Sequence, residues 1–258
     1  MHELFRTKHL ILIAVCMVLI VVLTVLSRKL SFEKLCRVLL YVGIVSEIIK
    51  IFYYICTNED THGGILPKTD LPFHLCSIQI IFILIINISQ NEKLKRFILS
   101  FMYPSCLIGG IAAILIATDS SRNGMWIITA QYFLYHVAIV VFALNLVVRR
   151  DRKHTIEDYF SCLKFLLVIM FFAFYINSMV DDGSGKVNFM YVVSPPQSGL
   201  PFLTEKYGWL VYISHYAFLV ITCVTLCYIK PIINAVKARF SKETAAEQEE
   251  KVLETSEA

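Results

Sequence analysis

The chain has 258 residues, 57% hydrophobic and 17% charged, against an apolar share of roughly 45–50% in soluble globular domains. Mean hydropathy is +0.66, and the charges gather between long apolar runs. This pattern excludes a soluble globular domain and predicts an all-α, polytopic membrane protein, a bundle of seven transmembrane helices. The formal net charge of +4 is no nucleic-acid signal, because the basic residues lie in the links between apolar runs.

The first span is predicted over 10–26. Arg6 and Lys8 precede it, and Ser27-Arg28-Lys29 follows where a cleavable leader would carry small residues. The second, 35–54, contains Glu47 and Lys50, three residues apart and so on one helical face. The third, 71–89, opens on Asp70-Leu71-Pro72-Phe73-His74-Leu75-Cys76 and continues with Gln79 and Asn87. Asp70 suits an N-cap and Pro72 a first helical turn. That would leave Cys76 near a helix start, whose dipole favours a thiolate.

The fourth span, 97–117, carries Pro104 and the pair Gly109-Gly110, which permit a kink and close helix contact. The fifth, 125–148, holds Gln131 and His136; the sixth, 159–179, ends near Asn177; the seventh, 207–229, carries Tyr212, Ser214 and His215. Loop 180–206 turns apolar through Val187-Asn188-Phe189-Met190-Tyr191 and Pro195-Pro196. A long apolar loop beside a bilayer is either a lid or an interfacial packing segment. Residues 231–258 form a polar tail.

Loop charge sets the orientation. Arg28, Lys29 and Lys34, then Lys93, Lys95 and Arg96, then Arg149, Arg150, Arg152 and Lys153 follow spans one, three and five. The positive-inside rule puts the N-terminus outside and the C-terminus in the cytoplasm, with Trp126 and Trp209 at the outer interface.

In that topology Glu47, Lys50, His74, Cys76, Gln79, Asn177, His136 and His215 all fall in the outer half of the bundle. Each is costly against lipid, so together they predict one outward-opening pocket. A cysteine nucleophile needs a base within hydrogen-bond reach. His74, two residues from Cys76, points to the other side of its helix, which leaves His136 or His215. Counting 1.5 Å per residue places His215 roughly 9 Å and His136 roughly 16 Å from the outer ends of their helices. Depth alone favours His215.

The eight cysteines form no CxxC pair, and no histidine spacing matches a zinc site, so no metal is expected. There is no nucleotide loop, and no lysine in the seventh span to hold retinal; no cofactor is expected. Membrane lipids are the expected partners.

Glu47 with Lys50, Leu71-Pro72-Phe73-His74-Leu75-Cys76-Ser77, Pro104 with Gly109-Gly110, Asp119, Tyr135-His136 and Asn188-Phe189-Met190-Tyr191 followed by Pro195-Pro196 together resemble the YwaF-type family of integral membrane proteins. The likeness covers about residues 40–220. It implies a bacterial cell-membrane protein whose eukaryotic relatives are lipid acyltransferases of internal membranes. Carried over, it implies Cys76 as nucleophile and His136, not His215, as base. The sequence-based expectation is therefore an acyltransferase or acyl-ester hydrolase acting on lipid, with Glu47, Lys50, His74, Gln79, Asp119, Asn177, Asn188 and His215 as binding or supporting groups. The alternative is a transporter or ligand-binding protein that uses Glu47, Lys50 and Asp119 as its working charges.

Overall fold

The computed structural model describes residues 6–57, 64, 66–117, 125–149, 153–183, 185, 187–196, 203–204 and 206–241. Among them are seven helices: α1 (Thr7–Ser27), α2 (Phe32–Thr57), α3 (Leu75–Ile88), α4 (Glu92–Leu115), α5 (Trp126–Val148), α6 (Ile156–Val180) and α7 (Trp209–Cys227). Short 3-10 turns occupy Lys68–Asp70 and Phe189–Tyr191. Helical backbone resumes over 229–241, so the expected polar tail begins as a helix.

Six of these helices are long and apolar enough to cross a membrane, and α3 is not. At 14 residues it measures about 21 Å, against about 30 Å for the hydrocarbon core. The expected third span thus starts late. Leu71 precedes Pro72 and is held extended (φ −58°, ψ 150°), as the proline ring demands of its predecessor. His74 is extended too (φ −66°, ψ 152°), and it, not Asp70, is the N-cap residue of α3. Pro72 is the middle residue of a tight turn closed by Phe73 N–H on the Leu71 carbonyl at 2.8 Å, and it begins no helix. Cys76 becomes the second residue of α3, closer to the helix mouth than its distance from Asp70 suggested.

Helices α4 and α5 form the buried centre, while α1, α2, α6 and α7 turn side chains such as Val18, Phe52, Phe171 and Phe218 outward. Long isoleucine-rich runs become helix here because backbone groups in lipid have to bond within their own segment. Small residues set the helix separations. A Cβ at Gly43 would lie 2.8 Å from Ile80 Cγ1, joining α2 to α3; one at Gly110 would lie 2.5 Å from Val140 Cγ2, joining α4 to α5.

Side-chain contacts fix which helix ends meet. His9 Nε2 donates to the Ile114 carbonyl (3.0 Å), so the start of α1 meets the end of α4. Asn145 donates to Ser27 Oγ (2.8 Å), and Arg96 pairs with Asp158 (2.6 Å). These bring the ends of α1 and α5, and the starts of α4 and α6, to the opposite end of the bundle. Pro104 does not break α4. Lacking an N–H, it leaves the Ser100 carbonyl without a helical donor, and the hydroxyl of fully buried Tyr228 takes that place at 2.8 Å.

Candidate functional site

The late start of α3 determines the geometry of the site. His136 is ten residues into α5 from Trp126, about 15 Å along the axis. Beginning at Leu75, α3 presents Cys76 at its mouth, and His136 Nε2 stands 3.1 Å from Cys76 Sγ.

The neighbours of His136 define its tautomer. Its Nδ1 lies 2.6 Å from the Tyr132 carbonyl. A carbonyl oxygen accepts only, so Nδ1 carries the hydrogen and the Nε2 lone pair faces the cysteine thiol. The Tyr132 ring packs on the imidazole with centroids 4.3 Å apart. Histidine 136 is buried at 5% exposure, whereas Cys76 is only partly buried.

Adjacent side chains hold the pair in register. Tyr135 donates to the Cys76 carbonyl at 2.7 Å, tying α5 directly to the first turn of α3. A Cβ at Gly110 would come 3.3 Å from the His136 carbonyl, and one at Gly109 would come 3.3 Å from Leu75 Cδ2. The Gly109-Gly110 pair thus allows α4 to lie against both halves of the site. The backbone N–H groups of Leu75, Cys76 and Ser77 precede the first intrahelical bond, made by Ile78 N–H to the His74 carbonyl at 3.0 Å. They are the anion-stabilising donors nearest the sulfur.

Gln79, expected as a supporting residue, bridges α3 and α4. Its amide N–H groups go to the Leu75 carbonyl and Ser105 Oγ, both at 3.1 Å. Its buried carbonyl oxygen is the group left without a hydrogen-bond partner. It therefore positions α3 against α4.

Glu47 and Lys50 form an ion pair at 2.6 Å, with side chains 17% and 15% exposed. Ser77 Oγ reaches Glu47 at 3.5 Å. Lys50 lies within electrostatic range of Cys76, His74 and Asp70. Burial raises the Asp70 carboxyl above its ordinary value, opposed by the Thr69 hydroxyl and then by Lys50. His74 lies outside α3 in extended backbone, so the helical spacing expected between it and Cys76 does not apply; its Nε2 donates to the Thr69 carbonyl at 3.2 Å.

Asn177 and Asn188 build the loop over this region. The Asn177 amide accepts from Phe189 N–H (2.7 Å) and donates to the Phe189 carbonyl (3.1 Å). Asn188 accepts from Val193 N–H and donates to the Ser194 carbonyl. Trp209 Nε1 reaches the Val192 carbonyl (3.0 Å), Tyr216 the Met190 carbonyl (2.9 Å) and Tyr212 the Tyr191 carbonyl. Met190 and Tyr191 both have positive φ, 57° and 54°, a conformation that persists for such residues only when surrounding contacts impose it. Phe189 packs on Phe73 and His74 with centroids 5.5 and 5.1 Å apart. The loop therefore sits on the extended segment that leads into α3.

One expected member lies elsewhere. His215 is exposed; the inward face of α7 runs through Tyr212, Tyr216 and Val224, and a depth count carries no information about which way a helix faces. Asp119 falls outside the described residues. Among those described, no three His, Cys, Asp or Glu side chains are grouped so as to hold a metal.

The helices and their apolar outer faces define an all-helical integral membrane protein with a cysteine and a histidine in contact at one end of the bundle. A family model, that of the TMEM164 family, matches residues 4–228, and the chain belongs to this transmembrane family. The YwaF-type name suggested by the motifs is carried by no match. No curated protein and no solved structure matches the chain.

Proposed function

We propose that this protein is a membrane-embedded acyl-transfer enzyme that uses Cys76 as nucleophile and His136 as general base on a lipid ester. The observation that carries the proposal is the 3.1 Å contact between Sγ and an imidazole nitrogen whose lone pair the Tyr132 carbonyl leaves free. In a buried site a standing thiolate–imidazolium pair is costly. The proton therefore moves from sulfur to Nε2 as the sulfur attacks the ester carbonyl. The free N–H groups at the start of α3 face the developing oxyanion. Collapse breaks the C–O bond, the departing alkoxide takes the proton from His136, and the acyl group remains as a thioester on Cys76. An incoming hydroxyl, from a lysolipid or from water, gives its proton to Nε2 and attacks the thioester, and the sulfur leaves and regains its hydrogen.

Glu47, Lys50 and His74 are the polar groups on which the lipid headgroup would rest, with Asp119 a further candidate from the sequence. In this reading α3 and the extended residues 71–74 together complete a seventh crossing. The N-terminus lies outside, the C-terminus is cytoplasmic, and the site opens to the outer half of a bacterial cell membrane. Such non-helical backbone is tolerated at membrane depth where protein encloses it or where it lines a cavity.

The test is labelling of the purified full chain by an ester-type lipid probe. Cys76→Ala and His136→Ala each reduce labelling at least ~100-fold, the scale of lost acid–base assistance, while the helical circular dichroism is unchanged. Equal labelling of Cys76→Ala would overturn the proposal.

A further inference from the structure

At the opposite end of the bundle a cavity of about 200 Å³ is lined by Arg96, Lys153, His154 and Asp158, with Leu99 and Leu146 as apolar wall. Leu146 is ten residues beyond His136 on α5, so the cavity lies about 15 Å along the helix from the proposed active site. The two sites are separate.

The chemistry of the lining is that of an anion site. Among the described residues that line it Asp158 is the one acid, and both its carboxylate oxygens are already engaged. Oδ1 accepts from Arg96 Nε (2.6 Å); Oδ2 accepts from a second Arg96 nitrogen (3.2 Å) and from Thr155 N–H (2.9 Å). That fork also fixes the guanidinium, half of whose side chain remains exposed. The His154 ring is fixed as well, stacked on Tyr103 at 4.4 Å and edge-on to Tyr228 at 5.7 Å. Lys153 contributes an exposed ammonium. A cation entering the cavity would meet a saturated carboxylate; an anion meets the Lys153 ammonium, the exposed edge of a guanidinium whose charge Asp158 already balances, and a held imidazole.

Size and place narrow the anion. At about 30 Å³ per water the volume equals roughly seven waters, room for a phosphate and part of a glycerol but not for a nucleotide. The cavity lies where α4 and α6 begin and α5 ends, the level of lipid headgroups for helices of this length. Its apolar wall suits the glycerol and first acyl carbons.

We propose that this cavity binds the phosphate of an anionic phospholipid, with Lys153 and Arg96 as its cationic contacts and His154 as a donor. Basic pockets between helices at one face of a membrane recognise such headgroups.

The experiment follows thermal unfolding of the detergent-purified full chain during titration with dioctanoyl phosphatidic acid, dioctanoyl phosphatidylcholine or inorganic phosphate. Phosphatidic acid raises the Tm at a lower concentration than either of the others. Lys153→Gln increases the concentration needed roughly fivefold, the factor expected for one basic side chain near the headgroups. Lys93→Gln, which removes an exposed charge on the first turn of α4 outside the cavity, changes it less than twofold. Cys76→Ala leaves the titration unchanged, which separates this site from the proposed catalytic one. Equal effects of Lys153→Gln and Lys93→Gln would overturn the proposal, as would equal potency of phosphatidylcholine. Equal potency of inorganic phosphate would overturn the assignment to lipid.

Discussion

Buried polar groups occur at both ends of this bundle, and the two ends treat them differently. Around Ser100 and Asp158 the acceptors are closed: the carbonyl freed by Pro104 receives the Tyr228 hydroxyl, and the Asp158 carboxylate is held by an arginine fork and a backbone N–H. Around Cys76 the bonding is directed but open. The Tyr132 carbonyl orients the imidazole, Tyr135 holds the first turn of α3, and the sulfur faces the imidazole lone pair. Saturated contacts hold helices together. Fixed but unsaturated ones leave capacity for a reacting group, and that contrast separates a clamp from a candidate active site.

The largest effect short of removing Cys76 or His136 is expected from Gly110→Val. Its side chain would overlap Val140 and press on the His136 carbonyl. Probe labelling falls at least ~10-fold, and stability falls by about 1–3 kcal/mol, the usual cost of overpacking. If labelling persists while stability drops, the spacing of α4 and α5 does not set the Cys76–His136 distance.

Asn177→Ala comes next. It leaves both the N–H and the carbonyl of buried Phe189 without their partner, at a cost of about 2 kcal/mol. Because the loop rests on the segment before α3, protease sensitivity at 187–196 rises and labelling weakens severalfold. Tyr228→Phe, at the closed end, costs about 1–2 kcal/mol by leaving the Ser100 carbonyl unpaired. Labelling stays within twofold of the parent; a larger fall would mean that the two ends are coupled. His215→Ala changes stability by less than about 0.5 kcal/mol and leaves labelling unaffected.

Apolar runs made most of the helices legible, because a bilayer gives a long hydrophobic stretch little choice but to be helical. The start of α3 was not legible. Pro72 suits the first turn of a helix and the middle of a tight turn equally well, and Phe189, whose ring packs on Phe73 and His74, is remote in sequence. The choice between His136 and His215 was hidden for another reason. Depth along a helix can be counted from sequence, but the direction a side chain faces depends on neighbours that the count ignores. Tyr132 gave no signal, since it acts through a main-chain oxygen; its position four residues before His136 is the only trace. Glu47 with Lys50 was visible from spacing alone, as an i,i+3 ion pair is local.

The central claim is tested most directly by incubating the purified chain with a phospholipid, quenching in acid and measuring the mass of the peptide that contains Cys76. The account predicts one added acyl mass on Cys76, released by neutral hydroxylamine as a thioester should be, and absent from His136→Ala. An unmodified Cys76 peptide under conditions where lipid ester is being consumed would contradict it.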